Sequence, residues 1–307
     1  MVAYLFAGQG AQSVGMGKDL YESFPQAKVI FDKADGVLGF SLSKLCFEGP
    51  QEELTQTQNC QPAILTLSIA AFEAFKLRIT NYELQVTKFM AGLSLGEYSA
   101  LVAAEALSFK DAVYLVRRRG EFMEEEARKI PGKMLSVIGL DLSTIKQICS
   151  QANTEIANMN CPGQIVISGG VKEIEEAQGL AKGRGAKMAM LLEVSGAFHS
   201  SFMKEAGLKL AKELEKIKIS TPKHHIVSNV TAKPVNSADE IKDNLIKQVS
   251  SSVLWEDSMK LLLSKGVSNF IEFGPGKVLK GLMRRIDANA QVINIEKKED
   301  VLKCVSL

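Results

Sequence analysis

Short apolar runs alternate along this chain with longer segments whose apolar residues recur at helical spacing. Val2–Ala7 has the length and composition of a buried strand and leads directly into Gly8, Gly10, Gly15 and Gly17. Pro62–Leu77 has helical spacing, Val86–Ala91 reads as a second strand with a helix over Glu97–Ala106 behind it, and Asp111–Arg128 is a further helix. Strands that alternate with helices in this way form a mostly parallel sheet covered by helices.

The middle of the chain follows another rhythm. Met134–Leu140 reads as a strand, Leu142–Gln151 as a helix, and Glu155–Asn160 and Gln164–Ser168 as strands joined by a Cys161-Pro162-Gly163 turn. Val171–Arg184 is a charged helix and Lys187–Val194 a last strand. The order βαββαβ is that of a ferredoxin-like unit able to close a small core of its own. The α/β pattern then resumes with a helix over Phe202–Leu214, a strand at His225–Asn229, a helix at Trp255–Ser264, a strand at Asn269–Phe273 and a last helix after Gly274-Pro275-Gly276. The expected architecture is therefore a large α/β-hydrolase-like domain, 1–130 and 196–307, with a small ferredoxin-like domain, 131–195, inserted at joints near Pro131-Gly132 and Ser195-Gly196.

Composition narrows the function. A net charge of +2 gives no support for nucleic acid as a partner. The five cysteines, an odd number with no C-x-x-C spacing, read as reduced thiols rather than a disulfide framework or a metal site. The longest apolar stretches, such as Pro62–Phe72, are interrupted by Thr66 and Ser68, so no membrane span is expected. The strand at the N-terminus leaves no room for a signal peptide. With no coiled coil in the pattern, a monomer is expected.

The chemistry concentrates at Gly92-Leu93-Ser94-Leu95-Gly96, a G-x-S-x-G placed between a strand and a helix. A nucleophilic serine needs a tight turn at the carboxyl end of a strand. The flanking glycines make room for that turn, and the following helix aims its N-terminal N–H groups at the developing oxyanion. Serine also needs a base. Of the three histidines, His224 and His225 stand together at an exposed start of a strand, whereas His199 lies at the joint where the chain returns to the large domain, and joints are where clefts form. On the helix Asp111–Arg128, Ala112, Leu115, Val116, Phe122 and Met123 form an apolar stripe that includes Arg119. A guanidinium there needs an anion, either an internal carboxylate in a structural ion pair or the carboxylate of a substrate. Two further motifs are decoys. Gly8-Gln9-Gly10 lacks the third glycine of a dinucleotide loop, and Gly276-Lys277 is followed by Val278 rather than the Ser or Thr of a phosphate-binding loop.

Taken in order, Phe6–Gln12, Gln61-Pro62-Ala63, Gly92–Leu101, Arg119-Gly120, Gly196–His199, Gln248–Trp255 and Gly274–Leu279 resemble the malonyl-CoA:acyl-carrier-protein transacylase family from Leu5 to about Ile286. The resemblance implies a ping-pong acyl transfer that supplies fatty acid synthesis. Ser94 is malonylated from malonyl-CoA, and the phosphopantetheine thiol of an acyl carrier protein then takes the group, with no metal or redox cofactor. It implies His199 as general base and later acid, oriented by a backbone carbonyl at Gln248 in place of a triad carboxylate. The N–H groups of Gln9 and Leu95 form the oxyanion hole, Arg119 pairs with the malonyl carboxylate, Gln61 lines the pocket, and Phe198 leaves little room for a methyl branch. Lys277, Lys280, Arg284 and Arg285 are candidates for docking an acidic carrier protein. Leu93 departs from the histidine that bacterial members place before the serine and looks like the plastid-type form, so bacterial cytoplasm and plastid stroma both stand as compartments. Ala7, where proline is common, is a second departure. The rivals are a serine thioesterase or hydrolase with the same elbow and a non-catalytic carrier-docking module.

Overall fold

The computed structural model describes residues 1–78 and 87–304. A six-stranded sheet has the order β10-β9-β1-β2-β7-β8, built from β1 (Val2–Phe6), β2 (Thr87–Gly92), β7 (His225–Val227), β8 (Pro234–Val235), β9 (Asn269–Phe273) and β10 (Gln291–Ile295). It is parallel from β10 through β7, and β8 pairs antiparallel at the edge. All five residues of β1 are buried, as befits a central strand covered on both faces. Val86, which begins the strand expected at Val86–Ala91, lies outside the described residues.

The helix expected from Pro62 begins at Thr57 and runs to Arg78. Proline inside a helix leaves the carbonyl four residues earlier without its donor. Here that carbonyl belongs to Gln58, and Arg117 Nη1 donates to it at 3.2 Å. Over Thr57–Leu77 this helix is long and apolar enough to cross a membrane, contrary to the reading of its interrupted apolar run, yet 83% of that stretch is buried within the protein. Its Phe72 and Phe75 pack edge-on against Tyr4 and Phe273 of the sheet, with ring centroids 5.3–6.0 Å apart. It is a core helix.

A second sheet, order β4-β5-β3-β6, is antiparallel throughout and comprises β3 (Gly132–Ile138), β4 (Glu155–Cys161), β5 (Gln164–Gly170) and β6 (Met188–Leu191). Helices Leu142–Ala152 and Val171–Gly183 complete the βαββαβ order, and Leu135, Val137, Ile145, Ile148, Ile167 and Ile174 belong to an apolar cluster separate from the main core. The last strand, Met188–Leu191, is shorter than Lys187–Val194, and its Met188 and Met190 face solvent at the sheet edge. The small sheet also grips the chain that leads to the site. Met159 N–H donates to Val253 O and Val253 N–H to Ala157 O, both at 2.9 Å, and Ser168 Oγ donates to Phe198 O at 2.6 Å.

Several elements were not assigned from the sequence. Four helices lie between Lys18 and Thr55, Ala238–Gln248 forms a helix, and β10 and a helix at Lys298–Cys304 follow Val278–Ile286. The predicted helix over Phe202–Leu214 is a 3-10 turn, Ser201–Met203, followed by a helix at Lys204–Glu215. All five cysteines are buried and unpaired.

Candidate active site

The site is built at two turns that approach each other closely. The chain leaves β2 through Leu93 and Ser94 and enters a helix at Gly96–Ala103. Ser94 has φ 52°, in the left-handed region that a non-glycine residue adopts only when its surroundings hold it there. The flanking glycines are a steric necessity. A Cβ on Gly92 would lie 1.9 Å from the Gly96 carbonyl carbon, and one on Gly96 would lie 2.1 Å from Phe6 O. The loop after β1 is equally close, since a Cβ on Gly8 would lie 2.6 Å from Leu93 O. Leu93 packs half-buried against an apolar cluster.

Four of the residues singled out from the sequence meet around Ser94. His199, also at positive φ (58°), places Nε2 2.8 Å from Ser94 Oγ and Nδ1 2.8 Å from the Gln248 carbonyl. A carbonyl can only accept, so Nδ1 carries the proton and Nε2 turns its lone pair to the serine hydroxyl. Burial, helped by the Arg119 charge, brings the His199 pKa down to about 4, so the imidazole is neutral at ordinary pH and free to accept a proton. Arg119 lies on the buried face of its helix, 1% exposed. Its Nη1 donates to Gln61 Oε1 at 2.8 Å, and its Nη2 lies 3.1 Å from both Ser94 Oγ and Gln248 Oε1. Its neighbours Arg117 and Arg118 pair with Glu121, whereas Arg119 enters no ion pair among the described residues, and its Nε has no hydrogen-bond partner. Of the two anions open to it from the sequence, an internal carboxylate in contact is therefore absent.

Gln9, Leu95 and Phe198 contribute differently. Gln9 is half-buried and Leu95 fully buried, and neither backbone N–H has an acceptor among the described residues. Phe198 is buried in the main core immediately before His199. Beside the site, a cleft of about 420 Å³ is lined by Gln9, Thr57, Glu124, Arg128, Glu193 and Ser195. The described residues hold no cluster of three or more His, Cys, Asp or Glu fit for a metal ion. Lys277, Lys280, Arg284 and Arg285 are exposed around the helix Val278–Ile286, remote in sequence from the elbow, and Arg285 donates to Gln164 of the small sheet.

Two residues of the network were not found from the sequence. Asn229, just past β7, spans the elbow: its Oδ1 accepts from Ser94 N–H at 2.6 Å and its Nδ2 donates to Gly92 O at 2.8 Å. Glu97, in the first turn of the elbow helix, accepts from Gln248 Nε2 at 2.6 Å and Asn229 N–H at 3.1 Å. Gln248 Nε2 also donates to Ser94 O at 3.0 Å, so this one amide joins the elbow, Arg119 and Glu97. The available signal for Glu97 was its surroundings, because Tyr98, Ala100, Leu101, Val102 and Ala103 make that helix apolar and imply burial.

These features have counterparts in known proteins. A family model described as "Acyl transferase domain" matches residues 3–299. The chain is 49% identical over 306 residues to the malonyl CoA-acyl carrier protein transacylase of Bacillus subtilis, covering 98% of this chain and 95% of the relative. It superposes on the malonyl CoA-acyl carrier protein transacylase from Coxiella burnetii with TM-score 0.95 at 37% identity, over 99% of this chain and 96% of that one. A malonyl-transacylase solved in complex with a type II PKS acyl-carrier protein matches with TM-score 0.94 at 36% identity, over 99% of each chain. The chain is an acyltransferase and belongs to the malonyl CoA-acyl carrier protein transacylase family.

Proposed function

We propose that this enzyme moves the malonyl group of malonyl-CoA to the phosphopantetheine thiol of an acyl carrier protein through a malonyl ester on Ser94, supplying fatty acid synthesis. The observation that carries this reading is the contact of one hydroxyl with two groups. Ser94 Oγ is bonded at once to a neutral imidazole and to a buried guanidinium that has no carboxylate. The first makes a nucleophile, and the second is a receptor for an acyl group that ends in an anion. Malonyl-CoA seats its free carboxylate on Arg119 beside Gln61. Ser94 attacks the thioester as His199 Nε2 takes its proton, the Gln248 carbonyl stabilises the imidazolium that forms, and the thiol of CoA leaves with that proton. The free N–H groups of Gln9 and Leu95 receive the oxyanion. The carrier thiol then repeats the steps in reverse, and Phe198 disfavours a methyl-branched acyl group.

The relatives' names and the carrier-protein complex support the two substrates, and their bacterial sources favour bacterial cytoplasm over plastid stroma. The exposed Lys277, Lys280, Arg284 and Arg285 form the docking face for an acidic carrier. The βαββαβ order and the separate apolar cluster support residues 131–195 as a ferredoxin-like insert in an α/β-hydrolase-like domain. Radiolabelled malonyl-CoA tests the reaction. A label that stays on Ser94 until carrier protein is added is the expected result, and prompt release of free malonate without carrier would make the protein a hydrolase.

A further inference from the structure

The elbow helix contains a carboxyl group for which acyl transfer as described has no use. Glu97 is 3% exposed and, among the described residues, touches no charged side chain. Its partners are the Asn229 N–H and the Gln248 amide, and the far end of that amide accepts from Arg119. Arg119 and Glu97 are thus the cation and anion of one buried unit, separated by a neutral amide.

A carboxylate that arrives on Arg119 upsets this balance. The unit then holds one cation and two anions out of water, which is costly unless one anion is neutralised. Arg119 cannot adjust, because a guanidinium does not change charge in the working range. Tyr98 is held protonated, its pKa pushed up to about 12 by burial. His199 is needed neutral and stands at about 4. Glu97 stands at about 7, raised by burial and lowered by the Asn229 and Gln248 hydrogen bonds and by the Arg119 charge. An anion that cancels the Arg119 charge removes one of the influences that keep Glu97 ionised.

We propose that Glu97 is the site's compensating charge: it takes up a proton from the medium when a carboxylate-bearing acyl group is seated on Arg119 and returns it when that group leaves. The inference rests on Arg119 as the acyl-carboxylate receptor and adds to it a proton that no step of the transfer chemistry consumes. Atoms balance simply. The proton comes from water or buffer, the Glu97 carboxylate becomes a carboxylic acid, and CoA departs as the neutral thiol below its own pKa. Glu97 keeps both hydrogen bonds, because its carbonyl oxygen still accepts from Asn229 N–H and Gln248 Nε2.

The test is proton uptake during acyl loading without carrier protein, read by a pH indicator in weak buffer and divided by the acyl-serine found by intact mass. With malonyl-CoA at pH 7, up to about half a proton is expected per malonyl-enzyme, falling at lower pH and rising to a maximum above pH 7, midway between the free and loaded pKa of Glu97, before it falls again. Acetyl-CoA, which brings no carboxylate, should give none per acetyl-enzyme. Glu97→Gln, which keeps an acceptor for both hydrogen bonds, should lose the uptake per malonyl-serine formed. Uptake that is absent with malonyl-CoA, equal with acetyl-CoA, or retained in Glu97→Gln overturns the inference. The first two comparisons use the unaltered enzyme and stand even if the variant fails to fold. Malonyl-serine formed without uptake overturns the role of Glu97 and leaves the proposed function standing, whereas failure to form malonyl-serine overturns both.

Discussion

Two strand-to-helix junctions of the large sheet are built alike and do different things. At one, β2 passes through Leu93 and Ser94 into the helix Gly96–Ala103. At the other, β9 passes through Gly274-Pro275-Gly276 towards the helix Val278–Ile286. Each holds a buried glutamate whose pKa burial pushes up to about 7, Glu97 at the first and Glu272 at the second. Glu272 is absorbed by its own junction, where its oxygens accept from Leu279 and Lys280 N–H at 2.9 and 3.0 Å and cap the helix. Glu97 reaches across to other elements, to Asn229 and to Gln248, and through the Gln248 amide to a buried arginine. A perturbed carboxyl group is therefore not by itself a mark of function. What separates the two is a cation that the fold buries without a carboxylate partner.

The largest effect should come from Ser94, the proposed nucleophile. Ser94→Ala is expected to cut malonyl transfer by about 10³-fold or more, while Glu272→Gln leaves kcat/KM within about twofold. A comparable loss from Glu272→Gln would erase the distinction between the junctions. Next, Arg119→Ala should lower kcat/KM for malonyl-CoA by about 10²-fold while acetyl-CoA gains relative to it. An unchanged acyl preference, measured with both donors in competition, would remove the receptor from the elbow side of the comparison.

The third effect concerns stability and pH. A carboxyl group whose folded pKa lies above its unfolded value contributes stability that is full below about 4.5 and is lost as pH rises through about 7. Glu272→Gln should therefore raise stability at pH 8 relative to pH 5, on the order of 2–3 kcal/mol. Denaturant melts of both proteins at the two pH values would read this, and parallel curves would show that Glu272 does not titrate in that window. The smallest effect is expected at Asn229. Asn229→Ala leaves the Ser94 N–H and Gly92 carbonyl without their side-chain partner and should cost about 1–2 kcal/mol. The equilibrium unfolding midpoint measures it, and no change would mean that the elbow holds its shape without the clamp.

The first junction was legible in the sequence because its chemistry is compressed into five consecutive residues. Arg119 was legible because helical spacing put a charge on an apolar stripe, and His199 because so few histidines compete with it. Asn229 and Glu97 were not, since each is an ordinary residue type and Asn229 meets Ser94 from 135 positions away. The start of the Thr57–Arg78 helix was missed for a similar reason. Local rules place proline at a helix beginning, and only the fold brings Arg117 to the carbonyl that Pro62 leaves free. β10 escaped notice because its apolar residues, Val292, Ile293 and Ile295, are few and do not alternate strictly.

The buried cysteines have a practical consequence. Cys46, Cys60, Cys149, Cys161 and Cys304 all lie inside the fold, and burial pushes every one of their thiols away from the reactive thiolate, Cys46 to about 12. A chromogenic disulfide added to the native enzyme therefore registers coenzyme thiol leaving malonyl-CoA and almost nothing of the protein. Without substrate, the same dye becomes a clock for breathing. Each cysteine sits in a different stretch of chain, so the order in which they are labelled ranks which parts of the molecule open first.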